Sequence, residues 1–267
     1  MRPHLQGATI KSARIFKPDI LRKVTRPAFE RGLAGRLVTK VGRRAKHLVF
    51  ELDDGKRIVI RPGMTGAMLV EKVKKVKKVK EATRDPYDVM HLVLSNGKVA
   101  RYRDVRRLGG IYLLTAAQWP RYDAAIGPEP LEPEFTAEVL AAILKRSRAA
   151  VKKVIMDQKK LAGVGNIYAS EALWMSGIDP SREARTVKPA EAAALRDAIV
   201  DVLARSVDGR GTTVRDYRTG TGEAGTFQGR LAVYGREREP CLRCGRPIVM
   251  THAIDARSSY FCPGCQH

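Results

Sequence analysis

Four cysteines carry the most specific chemistry in this 267-residue chain, and they are its only ones. Cys241 and Cys244 make one Cys-x-x-Cys pair and Cys262 and Cys265 a second, with 17 residues between the pairs. Two such knuckles place four thiolates around one Zn²⁺. A four-sulfur set leaves no open position for water, so one zinc with a structural role is expected. Two disulfides or four free thiols are the competing readings, but nothing else in the chain suggests an oxidising compartment. Strand-like runs at 248–250 and 259–261 predict a small hairpin closed by the metal. Arg238, Arg243, Arg246 and Arg257 stud this module, with Tyr234 and Tyr260 nearby, a set suited to phosphate contact.

A second stretch with chemical potential runs from Asp157 to Ser170. One helix is predicted to end at Gly163-Val164-Gly165, and another to start with Asn166 as its cap. Two glycines let a backbone approach a phosphate, and a helix N-terminus offers free N–H donors. The bland alternative is a plain turn, and the charge balance argues against it. Fifty basic residues against 28 acidic ones give a formal charge of +22 and a pI near 10.2. Such a balance points to a polyanionic partner, above all nucleic acid. No apolar run reaches the ~20 residues of a membrane span, and the start lacks a signal peptide's apolar core, so a cytoplasmic, membrane-free protein is expected.

These sites need elements to hold them. His47–Leu52 and Arg57–Ile60 flank Asp53-Asp54-Gly55, a hairpin signal. A second hairpin runs over 90–95, turns at Asn96-Gly97 and returns over 99–102; Asn-Gly suits a tight type I′ turn. Two hairpins and further short apolar runs predict a β-sandwich over 1–118. Residues 119–133, with four prolines, read as a linker. Helical periodicity follows over 134–232. Val139, Leu140, Ile143 and Leu144 share one face of a helix predicted over 136–148, and Pro189 opens another with a core stripe of Leu195, Ile199, Leu203 and Val207. The zinc module fills 233–267. Glu71–Lys80 holds six lysines in ten residues and reads as a solvated loop able to add contacts to flanking DNA.

Several of these segments together resemble the formamidopyrimidine-DNA glycosylase/endonuclease VIII family of base-excision repair enzymes along nearly the whole chain. They are Arg43–Lys46, Gly63–Gly66, Ser95–Lys98, Arg101–Arg107, Gly127–Leu131, Asp157–Ser170, Val233–Arg236 and the cysteine block through Gln266. The stretch 216–234 is similar to the lesion loop of the formamidopyrimidine branch. The resemblance implies an α+β multidomain chain: an N-terminal β-sandwich, a central helix–two-turn–helix domain and a C-terminal zinc-finger hairpin. It further implies double-stranded DNA carrying a damaged base or abasic site in the cleft between domains, and a monomer is expected. The implied activity is a glycosylase/AP lyase that removes oxidised purines with β,δ-elimination. By the same resemblance, Lys46 contacts a phosphate beside the lesion and assists proton transfer, and with Arg257 it forms the catalytic assignment. Met64, Arg106 and Leu108 match the wedge that fills the gap left by an extruded nucleotide. Asn166, Tyr234 and Arg257 match phosphate-gripping positions, and Arg148 and Lys152 fall near further DNA contacts.

The departures from the family pattern bear on function. The family's chain begins Pro-Glu-Leu-Pro-Glu and a first helix, and its proline amine attacks C1′ of the deoxyribose. This chain as written starts after that point, so it is expected to perform little Schiff-base chemistry itself. The wedge phenylalanine is Leu108, and a histidine near the Gly-Met-Ser-Gly motif is Arg61, still a phosphate donor. A His-x-His sequence reads Tyr87-Asp88-Val89. Two functions therefore compete: a repair glycosylase, and a non-catalytic binder of damaged or abasic DNA.

Overall fold

The computed structural model describes residues 1–72, 85–209 and 227–267. The lysine-rich loop of the sequence reading lies almost wholly outside these residues, and of the lesion-loop stretch 216–234 only 227–234 lie within them. Residues 1–123 form one compact unit, and 124–209 with 227–267 a second.

The first unit holds two antiparallel four-stranded sheets. One has the order β1 (Ile10–Ile15), β6 (Asp88–Leu94), β7 (Lys98–Asp104), β5 (Gly66–Lys72). The other runs β2 (Val38–Arg44), β3 (His47–Leu52), β4 (Arg57–Arg61), β8 (Gly110–Leu114). Alternation along each strand sends Ile10, Met68, Leu92 and Tyr102 from the first sheet, and Val41, Phe50, Ile58 and Ile111 from the second, into one core. Helices α1 (Arg2–Leu5) and α2 (Arg26–Leu33) add Leu5, Phe29 and Leu33 to it.

Both expected hairpins form, but the Asn-Gly turn is not type I′. Positive φ falls on Gly97 and not on Asn96, and Gly97 N–H donates to Leu94 O. The loop is thus three residues, a turn followed by a left-handed glycine. Asp53-Asp54-Gly55 repeats the pattern, with Gly55 N–H on Leu52 O. Part of the predicted linker is helical: α3 (Trp119–Ala124) lays Trp119 and Tyr122 on Val49, Val59 and Leu114, the outer face of the second sheet. Apolar surface left uncovered there supplies the reason.

In the second unit, Thr136 caps α4 (Ala137–Lys145) through Val139 N–H; this helix ends three residues earlier than the sequence suggests. Helices α5 (Val151–Met156), α6 (Asn166–Ser176) and α7 (Pro189–Asp208) complete the helical core. The α7 stripe stops at Leu203, and Val207 is exposed. Apolar residues spaced by four drift about 40° per step around a helix of 3.6 residues per turn. By the fourth position the inward place has passed to Ser206, whose hydroxyl meets Tyr168 OH at 2.5 Å. A hairpin of β9 (Val249–Thr251) and β10 (Ser259–Phe261) carries the cysteine module.

Candidate nucleic-acid interface and metal centre

At one end of the first unit four strand termini meet. Arg61 pairs with Gly110, and Gly66 with Asp104. The chain therefore crosses between the sheets twice at this rim, through residues 62–65 and again through 105–109. Leu48 pairs with Ile60, which sets the Ala45-Lys46 turn of the β2–β3 hairpin at the same end of its sheet. Lys46, Arg61, Met64, Arg106 and Leu108 thus share one rim.

All five are exposed, and Met64 and Leu108, at 70% and 62%, are among the most exposed large apolar side chains described. Apolar groups held in water at the tip of a rigid scaffold incur a hydration cost that folding does not relieve. Arg106 reaches Met64, its Nη1 lying 3.8 Å from Sδ. The two crossings lie against each other so closely that a Cβ on Gly109 would collide with Arg61 O, and one on Gly66 with the Tyr102 hydroxyl. Glycine is required there by contact rather than by φ. Beneath them lies Asp104, 1% exposed, whose carboxylate accepts from Thr65 Oγ1 (2.6 Å), Arg107 N (3.1 Å) and Tyr102 OH (3.2 Å).

The second unit presents a different group. In the turn between α5 and α6, the Gln158 side chain donates to Met156 O and Val164 O and accepts from Gly163 N–H, each at 2.9 Å. Gly163 supplies the left-handed φ of +78° this turn needs. Gly165 caps α6, so Asn166 is its first helical residue and not its cap. Its amide instead donates to Ser258 O at 2.9 Å, next to Arg257. Arg257 is exposed on the loop that joins β9 to β10. Arg148 is also exposed, between α4 and α5.

Lys152 departs from its expected place among the DNA contacts. It is fully buried, and its Nζ donates to Ser259 Oγ at 2.5 Å and toward Ser258 O at 3.4 Å. Burial lowers its pKa to about 8, with Arg257 pushing the same way and Asp255 opposing. As placed, Lys152 supports the loop that carries Arg257.

Tyr234 is half-buried, its ring 4.8 Å from Tyr260 in a T-shaped pair. Its backbone, with those of Ala232 and Val233, donates to the buried Glu171 carboxylate of α6 at 2.8–3.0 Å. Sequence reasoning missed Glu171, Gln158 and Asp104. Nothing local marks them, because their partners lie across turns or tens of residues away.

The four cysteine sulfurs all lie within 4.8 Å of one another, with Cys241–Cys265 at 3.9 Å and Cys244–Cys262 at 3.5 Å. Sulfurs ~2.3 Å from a tetrahedral zinc stand ~3.8 Å apart, whereas bonded disulfide sulfurs stand ~2.0 Å apart. The arrangement fits the metal and not a disulfide pair. Burial resists ionisation of Cys241, but N–H donors from Arg243, Cys244 and the Trp174 indole outweigh it and hold the thiol down at about 6. Gln266 closes the site from behind, accepting from Cys262 N–H and donating to Ile178 O. Arg243, expected to face phosphate, instead lies 4.1 Å over the Trp174 ring. It donates to the last carbonyls of α6, Trp174 O and Met175 O, both at 2.8 Å.

A sandwich unit with an exposed apolar tip, a braced helix–turn–helix and a four-cysteine hairpin define a class of modular DNA-binding proteins. Models of known families match all three parts. The formamidopyrimidine-DNA glycosylase N-terminal domain covers residues 1–111, its H2TH domain 126–218, and the zinc finger found in FPG and IleRS 238–267. Formamidopyrimidine-DNA glycosylase of Xanthomonas euvesicatoria is 40% identical over 267 residues, covering 100% of this chain and 95% of the relative. That of Desulforamulus reducens is 38% identical over 269 residues, covering 100% and 94%. Among solved structures, Lactococcus lactis Fpg bound to DNA containing an abasic site superposes with a TM-score of 0.89 at 27% identity, over 100% of this chain and 95% of that one. The same enzyme with Fapy-dG-containing DNA gives the same TM-score, identity and coverage. The chain belongs to the formamidopyrimidine-DNA glycosylase family.

Proposed function

We propose that this protein is a base-excision repair enzyme, a DNA glycosylase and AP lyase that removes oxidised purines from duplex DNA. One observation carries the reading. Met64 and Leu108 stand exposed on two interlocked crossings beside Arg106, a geometry suited to entering a base stack. An enzyme that works on a base must take it out of the duplex, and a void of that size is filled by apolar side chains. Arg106 is placed to hydrogen-bond the base left without a partner. The family's chemistry then needs an amine to attack C1′, expel the base and leave an iminium.

In this reading Lys46 binds a phosphate beside the lesion and assists proton transfer, and Arg61 adds a further phosphate contact. Asn166, Arg257, Tyr234 and Arg148 hold the backbone from the second unit, and Arg257 joins Lys46 in the catalytic assignment. The sandwich over 1–118 carries the chemistry, the helical domain over 134–232 and the finger over 233–267 grip DNA, and the zinc is structural. The expected location is the cytoplasm or nucleoid; among the described residues no helix is long and apolar enough to cross a membrane.

The test uses the native protein on duplexes carrying 8-oxoguanine or formamidopyrimidine. Base release, strand cleavage and a borohydride-trapped adduct are the expected results. Tight binding without release or trapping would refute the enzyme and leave the non-catalytic binder, which the 38–40% identity to named glycosylases disfavours.

A further inference from the structure

We propose that Asp104 and Thr65 are positioning residues that lock the two crossings into a single rigid wedge for base extrusion. The inference rests on the glycosylase reading above and deepens it.

The Thr65 hydroxyl sits between the crossings with both of its capacities used. It donates to Asp104 Oδ1 at 2.6 Å and accepts from Arg106 N–H at 3.0 Å. Asp104 Oδ1 also accepts from Arg107 N–H, while Oδ2 accepts from Tyr102 OH in the core. Burial first, and the Asp104 charge second, push the Tyr102 phenol far up, so it stays a donor. One buried carboxylate therefore ties the residue after Met64, the residue after Arg106 and the sheet core together.

The backbone is bent to serve this arrangement. Arg107 holds a φ of +52°, which a non-glycine residue adopts only when its surroundings hold it there. Its N–H bond to Asp104 and its ion pair with Asp19 at 3.3 Å do so. The bend leaves the residues on either side, Arg106 and Leu108, both exposed. A crossing that shifted alone would break the bonds to Thr65, so Met64 and Arg106 must enter DNA together. A wedge working against base stacking has to transmit force to its scaffold, and a charge-assisted bond to a buried carboxylate is the stiff link available.

The test compares Asp104→Asn, Thr65→Val and Thr65→Ser with Met64→Ala and Arg106→Ala in the zinc-loaded full chain. Two readouts are taken: excision of 8-oxoguanine, and base extrusion followed by 2-aminopurine fluorescence next to the lesion, which reports even without excision. Two substrates are used: the lesion paired with cytosine, and the lesion opposite an abasic gap, where extrusion leaves no orphan base for the wedge to hold in the stack.

Asp104→Asn and Thr65→Val are expected to slow extrusion of the paired lesion by about ten-fold or more, the effect of losing a hydrogen bond to a charged group. They should have little effect opposite the gap, and Thr65→Ser should restore the rate. Equal losses on both substrates would mark a merely structural role and overturn the lock. Normal extrusion in both variants, with Met64→Ala and Arg106→Ala defective, would overturn the lock and leave the wedge standing. Normal extrusion in Met64→Ala and Arg106→Ala would remove the wedge and the lock with it. Should Asp104→Asn not fold, the isosteric Thr65→Val, at a half-buried position, carries the test alone.

Discussion

Replacing Lys152 by Met tests the buried amine. Moving a lysine pKa from 10.5 to about 8 corresponds to about 3 kcal/mol against the charged form in the folded state. The direction in pH follows from proton counting. Between about 8 and 10.5 the unfolded chain binds a proton that the folded chain does not, so stability rises with pH across that window. Below about 8 the full burial cost is present, and above 10.5 it is gone. Methionine matches the stem and carries no charge, but it leaves Ser259 Oγ without the lysine donor, a cost of about 1–3 kcal/mol. The two terms nearly cancel near neutrality. The diagnostic is therefore the pH dependence of the difference between variant and parent, which should move by about 2 kcal/mol in the parent's favour between pH 7.5 and 9.5. Other titrating groups are common to both proteins and drop out. Urea unfolding at several pH values measures it, and a ¹³Cε titration of Lys152 reads the pKa directly. A pH-independent difference, or an amine titrating above 10, would refute the reasoning.

Three further outcomes follow from the geometry. Lys152→Met should leave the salt dependence of DNA binding unchanged, whereas Arg257→Ala should lower the slope of log K against log salt by about 1; equal slopes for all three proteins would remove Arg257 from the phosphate contacts. Cys244→Ser should drop zinc from one per chain toward none and weaken DNA binding, and retention of zinc in the variant would contradict a four-sulfur site. Glu171→Gln is isosteric but presents an amide to N–H groups of 232–234, which should cost about 3 kcal/mol or more in thermal unfolding; a loss under 1 kcal/mol would show that the carboxylate is not the clamp its bonds suggest.

Which features were legible in the residues follows from the range of the forces behind them. Zinc knuckles, hairpins and helix faces are set by spacings of two to four residues, and the cysteine pairs, the His47–Leu52 and Arg57–Arg61 strands and the α4 face appear where the pattern puts them. Turn chemistry was legible in residue type but not in detail: Asn96-Gly97 marks a reversal, while three loop residues rather than two decide that only the glycine takes positive φ. The partners of the polar hubs were invisible. Thr65 and Asp104 are 39 residues apart, Glu171 and Tyr234 63, and Lys152 and Ser259 107. A carboxylate that binds distant N–H groups leaves no period in the chain.

Lys152 is the instructive case, because a local signal for it did exist. In α5 it sits three residues before the buried Ile155 and beside the buried Val151, on the inward face of the helix. Residue type argued the other way, since a lysine in a chain of charge +22 defaults to the surface and to phosphate. Position outweighed type because the cysteine hairpin brought Ser258 O and Ser259 Oγ as acceptors within reach of the amine. The same hairpin offers Ser258 O to Asn166. Two residues that resemblance assigns to DNA therefore converge on one serine, one residue from Arg257. Asn166 and Lys152 thus both fix the loop that carries the exposed Arg257.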